Sequence, residues 1–167
     1  LKEFQMNLRA PTERRFPNGH LLELIRKADY QHAVSILQAA GRENAVRNAL
    51  GVCLLRMGRN EEGLQVLRSF VLAADGVSER VDVIDPYKRN YALALLLTGS
   101  IAGGVDVLNA TSDTLHPVAQ MLYQAVRDWE KQLGWFRWLD WKLNRIAPAD
   151  AKVAIHFELG EFAWEDA

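Results

Sequence analysis

"NALGVCLLRMGRNEEGLQVLRSF", Asn48 to Phe70, decides the fold. Leu50 and Leu54, then Leu64 and Leu67, recur at the three- and four-residue steps of a helix with one apolar stripe. Gly58 separates the two runs. Asn60 is placed to cap the second, with Glu61 and Glu62 in its first turn, where negative charge suits the positive end of the helix dipole. The same period extends outward in both directions, and prolines are nearly absent from Gly19 to Asn144. It predicts eight helices, near residues 19–28, 30–40, 44–57, 60–74, 86–98, 101–110, 115–133 and 135–146. Asp29 and Ser100 are placed as caps, Pro86 and Pro117 sit near helix starts, and Gly41 follows a helix end. Connections this short imply antiparallel hairpins.

Leu50-Gly51, Leu54, Gly58, Gly63, Leu64 and Leu67 together resemble a tetratricopeptide repeat (TPR). In that family a small residue late in helix A and another in helix B let the two helices approach, the places taken here by Gly51 and Gly63, and Gly58 takes the turn position. Three flanking stretches share the phase. Leu24, Ala28, Ala33 and Leu37 repeat the offsets of Leu54, Gly58, Gly63 and Leu67, and Ala92, Leu95, Gly99, Gly104 and Leu108 do likewise. Tyr123, Val126 and Gly134 form a fourth, with Leu139 where a small residue belongs. Arg47 stands where the family has a bulky aromatic, and Asp75 where it has a closing proline. The copies are unevenly spaced, the excess lying in "DGVSERVDVIDPY". Other helical-hairpin repeats share these features. The resemblance implies an all-α fold: a TPR-like α-solenoid of about four helical hairpins in a right-handed superhelix, over residues 19–146. It is flanked by an N-terminal extension, 1–18, and a C-terminal arm, 147–167, packing on the last helices. One hairpin cannot bury its own apolar face, whereas three or more stacked can.

In such a stack the inner face is lined mainly by helix A. By resemblance its positions include Ala45, Asn48, Val52, Leu55 and Arg56, and, one copy on, Arg89, Leu93 and Leu96. The lysine, arginine and asparagine clamp by which the family holds peptide C-termini is not reproduced, Asn48 lying one residue from the matching place. The implied function is a non-enzymatic scaffold that binds a protein or peptide through this face. An alternative is a structural or oligomerisation module of a larger protein, a possible homo-oligomer whose arm docks on a neighbour. A third is the regulatory domain of an enzyme whose active site lies elsewhere; the chain opens on Leu1 rather than methionine, which leaves room for a longer parent.

Composition points to no chemistry. Apolar residues make up 49% and charged residues 25%, as in ordinary globular domains, and a net charge of −1 gives no global attraction to nucleic acid or anionic membrane. A single cysteine, Cys53, allows no intramolecular disulfide and reads as a small buried hydrophobe. Residues 91–105 are too short and too interrupted to span a bilayer, and residues 1–16 carry no signal-peptide pattern. A cytoplasmic location is expected. His20, His32, His116 and His156 lack metal spacing, "GSIAGG" (99–104) lacks the lysine of a phosphate loop, and Asp82 with Asp85 is a weak cation signal. No cofactor, no metal and no catalytic residue is expected.

Two features remain. Residues 135–146 carry Trp135, Trp138 and Trp141. On a helical wheel Phe136, Leu139, Leu143 and Ile146 form the expected core stripe, with Trp141 nearly opposite, covered by Arg137 and Arg145 or by the arm. In the arm, Val153, Ile155, Phe157 and Leu159 alternate with Ala154, His156, Glu158 and Gly160, a strand's period of two without a partner strand. From residue 153 the chain has acids and no lysine or arginine, so the arm is expected to fold back on the basic tryptophan helix. Trp138 and Trp141 are the other candidate partner-binding residues, as interface hot spots favour tryptophan.

Overall fold

In a computed structural model, the described residues are 18–73, 75–76, 80 and 82–164. They form eight helices and no strand. These are α1 (Gly19–Arg26), α2 (Tyr30–Ala39), α3 (Asn44–Arg56), α4 (Asn60–Val71), α5 (Asp85–Leu97), α6 (Ile101–Asn109), α7 (Pro117–Lys131) and α8 (Trp135–Asn144). Each boundary lies within three residues of the one the periodicity predicts. The expected N-terminal extension falls outside the described residues except for Asn18, whose Oδ1 accepts the Leu21 N–H at 2.8 Å and caps α1. Asp29 caps α2 through the His32 N–H, and Pro86 and Pro117 lie in the first turns of α5 and α7. Two expected caps differ. Asn60 is the first residue of α4 rather than its cap, and Ser100 precedes α6 without a side-chain bond. In α4, Arg59 holds the first-turn Glu62 instead, Nε to Oε1 at 2.7 Å.

Consecutive helices pack on one another, most closely α3 on α4 and α5 on α6, and these hairpins join through α4 and α5. Each hairpin closes tightly on a glycine of its second helix, and in the first Gly51 of α3 is pressed as well, a Cβ there lying 2.7 Å from Leu67 Cγ. A Cβ on Gly63 would lie 2.8 Å from Leu55 Cδ2 and 3.2 Å from the Gly51 carbonyl oxygen. A Cβ on Gly104 would lie 2.8 Å from Leu96 Cδ2 and 3.1 Å from the Ala92 carbonyl oxygen. The leucine stands eight residues before the glycine and the carbonyl twelve before it in both cases. The two hairpins therefore repeat the same contact despite the longer segment between them.

The core has two clusters. Leu21, Val34, Leu37, Val46, Cys53 and Leu54 join α1, α2 and α3, with the half-buried Val66 of α4 against them. A larger one, with Phe70, Tyr87, Leu93, Leu96, Leu108, Leu122, Trp129 and Trp141, runs from α3 through α8. A side chain fully buried in this way contributes roughly 1.5–3 kcal/mol. Burial pushes the Cys53 thiol up to about 12, the nearby Arg56 charge offsetting it only partly, so it stays protonated. No helix among the described residues is long and apolar enough to cross a membrane.

α8 docks the opposite way from the wheel reading. Trp141 is 1% exposed, whereas Phe136 and Leu143 are 79% and 72% exposed and Ile146 is exposed as well. The reason is what α7 offers. Trp129 meets the Trp141 ring edge-on at 5.2 Å, and Glu130 accepts the indole N–H at 2.7 Å. An indole buries a large area but needs a partner for its N–H, and α7 supplies both. Arg145 covers the outer face of the ring at 4.9 Å, as expected. Arg137 does not; it lies 3.9 Å from Asp150.

Candidate functional site

The arm begins after α8 and keeps its period of two. Ala151 and Val153 are buried and Ile155, Phe157 and Leu159 half-buried, while Lys152, Ala154, His156 and Glu158 face solvent or lie near it. With no strand beside it, the arm's polar main chain needs other partners. From Leu159 to Glu161 these come from side chains of α3 and α5.

Asn90 on α5 and Asn48 on α3 form the centre. The Glu161 N–H donates to Asn90 Oδ1 at 2.8 Å, and Asn90 Nδ2 donates back to the Glu161 carbonyl at 2.8 Å. One carboxamide thus serves both main-chain groups of one residue, as a neighbouring strand would. A main-chain N–H only donates, so it dictates which way the Asn90 amide faces. Asn48 Nδ2 donates to the same carbonyl at 2.9 Å, and Asn48 Oδ1 accepts from Asn90 at 2.7 Å. Both asparagines are buried, and this network is what satisfies their amides.

Arginines flank this centre. Arg56, at the end of α3, donates from Nε to the Leu159 carbonyl at 2.7 Å and from Nη2 to the Gly160 carbonyl at 3.1 Å. Its Nη1 reaches the Tyr30 hydroxyl and the Glu158 carboxylate. Its guanidinium lies 4.7 Å from the Phe162 ring centre, and Phe162 stacks on Trp164 at 5.5 Å. Arg89, only 3% exposed, holds the Glu161 carboxylate with both prongs, at 2.7 and 3.2 Å. The fork matches a carboxylate in a way a lysine ammonium does not. His116 Nε2 stands 4.0 Å from the same carboxylate.

Gly160 makes the close fit possible. Its φ is +74°, and a Cβ there would lie 2.9 Å from Val52 Cγ2 and 3.3 Å from Asn90 Oδ1. Any other residue meets both a disfavoured backbone and occupied space.

Of the residues singled out in the sequence, Asn48, Val52, Arg56 and Arg89 are brought together, against the chain's own arm. Leu55 turns toward Gly63, and Leu93 is buried in the larger cluster; neither belongs to the site. Trp138 and Trp141 belong to α8, with Trp138 40% exposed and Trp141 enclosed. The contacts of Glu158 and Glu161 thus run to α3 and α5, where the expectation had placed them on the tryptophan helix; of the arm's acids among the described residues, Asp150 alone stands near that helix, at Arg137. Sequence reasoning missed Tyr30, Asn90, Gly160, Glu161 and Phe162. The one usable signal was the glycine at the end of the alternation, between two acids of the tail.

Elsewhere the chemistry is sparse. No three His, Cys, Asp or Glu groups among the described residues converge as metal ligands. Asp82 pairs with Arg80 at 3.0 Å, and Asp85 accepts the main-chain N–H groups of Ser112 and Asp113 at 2.9 and 3.1 Å. A cleft of about 220 Å³ between α7 and the arm, walled by Met121, Trp129 and Phe157, is smaller than typical ligand pockets. In comparisons with known proteins, the chain matches no family model, no curated protein and no solved structure.

Proposed function

We propose that this protein is a non-enzymatic, TPR-like helical-repeat scaffold that binds an extended protein segment across α3 and α5. One observation carries the reading. Side chains at the expected helix A positions, Asn48, Arg56 and Arg89, with Asn90 beside them, hold three consecutive residues of an extended chain, mainly by its main chain. Main-chain hydrogen bonds give affinity to an extended peptide, and side-chain slots give it selectivity. The repeated glycine contacts of the α3–α4 and α5–α6 hairpins support the repeat reading. The test is capture from lysate with wild type beside an Asn48→Ala/Arg56→Glu variant of verified helical content. The expected result is a protein retained by wild type, cross-linked to α3 or α5, and lost with the variant. Equal retention by both overturns the assignment to this face.

A second reading, self-association, is favoured by a different observation: Trp135, Phe136, Trp138, Leu143 and Ile146 are all exposed on or beside α8. Apolar residues gathered in this way on a surface mark contact sites. Light scattering over rising concentration tests it, with a mass that grows in wild type and not in Phe136→Glu/Leu143→Lys as the supporting result.

A further inference from the structure

The contacts of the arm define what the α3–α5 face selects. Among segments that are extended and apolar on one side, four requirements stand out. A residue with positive φ and no side chain must lie against Val52 and Asn90, where Gly160 sits. The next residue must place a carboxylate in the fork of the buried Arg89, as Glu161 does. The one after must offer an aromatic face to Arg56, as Phe162 does. The residue two before the glycine must carry an acid for the outer side of Arg56, as Glu158 does. Two arginines facing the segment, one of them almost wholly enclosed, leave a charge that only an acid at that position neutralises well.

We infer that the partner of this face is a separate protein bearing an extended acidic segment with a glycine–glutamate–aromatic core, and that the chain's own residues 158–164 are a tethered stand-in which that partner displaces. The inference rests on the function proposed above and names its ligand. The arm is joined to α8 by a short connection, so it competes at an effective concentration in the millimolar range. A free segment of equal intrinsic affinity therefore binds poorly until the arm is weakened. Gly160→Val weakens it selectively: valine strains the backbone and collides with Val52, while every groove side chain remains.

The probe is a fluorescein-labelled peptide of residues 155–164, IHFELGEFAW. It is titrated against the whole chain, wild type and Gly160→Val, beside a scrambled peptide and one carrying valine for the glycine. The expected result is binding to the variant at least about tenfold tighter than to wild type, and at least about tenfold tighter than either control peptide. If the peptide and its scramble bind the variant equally, the glycine–glutamate–aromatic selection is overturned while a general peptide-binding face survives. If the variant keeps its helical content and binds neither at up to about 1 mM, above which tethering loses its advantage, both readings fall. Should Gly160→Val lose its helical content, Phe162→Ser, which leaves α3 and α5 untouched, is put through the same series with the same criteria. A wild-type chain that runs as an arm-exchanged dimer at the assay concentration assigns the segment to a second copy and overturns the separate partner.

Discussion

Single residues set how closely the helices and the arm approach. Gly103 and Gly104 are neighbours in α6 with opposite demands. A Cβ on Gly103 would stand 3.8 Å from Leu95 Cδ1, in ordinary contact, whereas one on Gly104 would press on Leu96 and on the Ala92 carbonyl. Gly103→Ala is expected to stabilise by about 0.5–1 kcal/mol, because alanine loses less backbone entropy in a helix. Gly104→Ala is expected to destabilise by roughly 1–3 kcal/mol, since Leu96 can turn aside but a helix carbonyl cannot. Equilibrium urea unfolding of the pair reads both signs, and equal effects would refute the close approach. Glu161→Gln carries a second expectation. It leaves the main-chain grip of Asn90 in place and removes the anion facing the enclosed Arg89, at a cost of about 2–4 kcal/mol in the same assay. A cost below about 0.5 kcal/mol, the range of ordinary surface substitutions, would show that Arg89 finds water instead.

At the scale of elements, what was legible in the sequence is local and what was not depends on neighbours far along the chain. The helix boundaries follow from periodicity with Asp29, Pro86 and Pro117, all acting within a turn of themselves. The hairpin glycines were legible because Gly63 and Gly104 keep the same offsets to their partners. The docked face of α8 was not, since a wheel ranks faces by apolar count and knows nothing of Glu130, which makes the tryptophan side the better one to bury. That carboxylate gives α8 a pH dependence. Burial alone would raise its pKa, but hydrogen bonds from Lys142 and Trp141 outweigh this and hold it below the usual carboxylate range. A depressed folded pKa contributes stability that is complete above the unfolded value, about 4.3, and is lost as pH falls through the folded one. Thermal unfolding of wild type and Glu130→Gln should therefore differ at pH 7, by about 1–2 kcal/mol for lost charged hydrogen bonds. The two should converge as pH falls below about 4. A difference that persists at low pH would remove the ion pair with Lys142 as its source.

Across the whole molecule the arm, like α3 and α4, touches both core clusters. Ile155, Phe157 and Leu159 pack on the larger cluster, and Phe162 and Trp164 on the one formed by α1 to α3. None of this was readable from the arm's alternation, which shows one apolar edge but not which helices receive it. Asn90 left no trace either, because the residue at its place in the preceding hairpin is Ala49. The arm's position predicts coupling between α3 and α5. Arg56 holds the carbonyls of Leu159 and Gly160, and Arg89 holds the carboxylate of the next residue. Three consecutive residues cannot leave one arginine freely while staying seated on the other. Once Arg56→Met has loosened the arm, Arg89→Met has less left to lose. The double variant should therefore be more stable than the summed singles predict, by about 0.5–3 kcal/mol, the range seen for residues in one network. Arg56→Met with Lys142→Met serves as the control. Lys142 binds Glu130 and shares no partner with Arg56, so that pair should add within about 0.3–0.5 kcal/mol. Repeating the Arg56–Arg89 cycle in the Gly160→Val chain, where the arm is already displaced, should abolish the coupling. Coupling that survives there would have to run through the direct packing of α3 on α5 and would strip the arm of its role as the link.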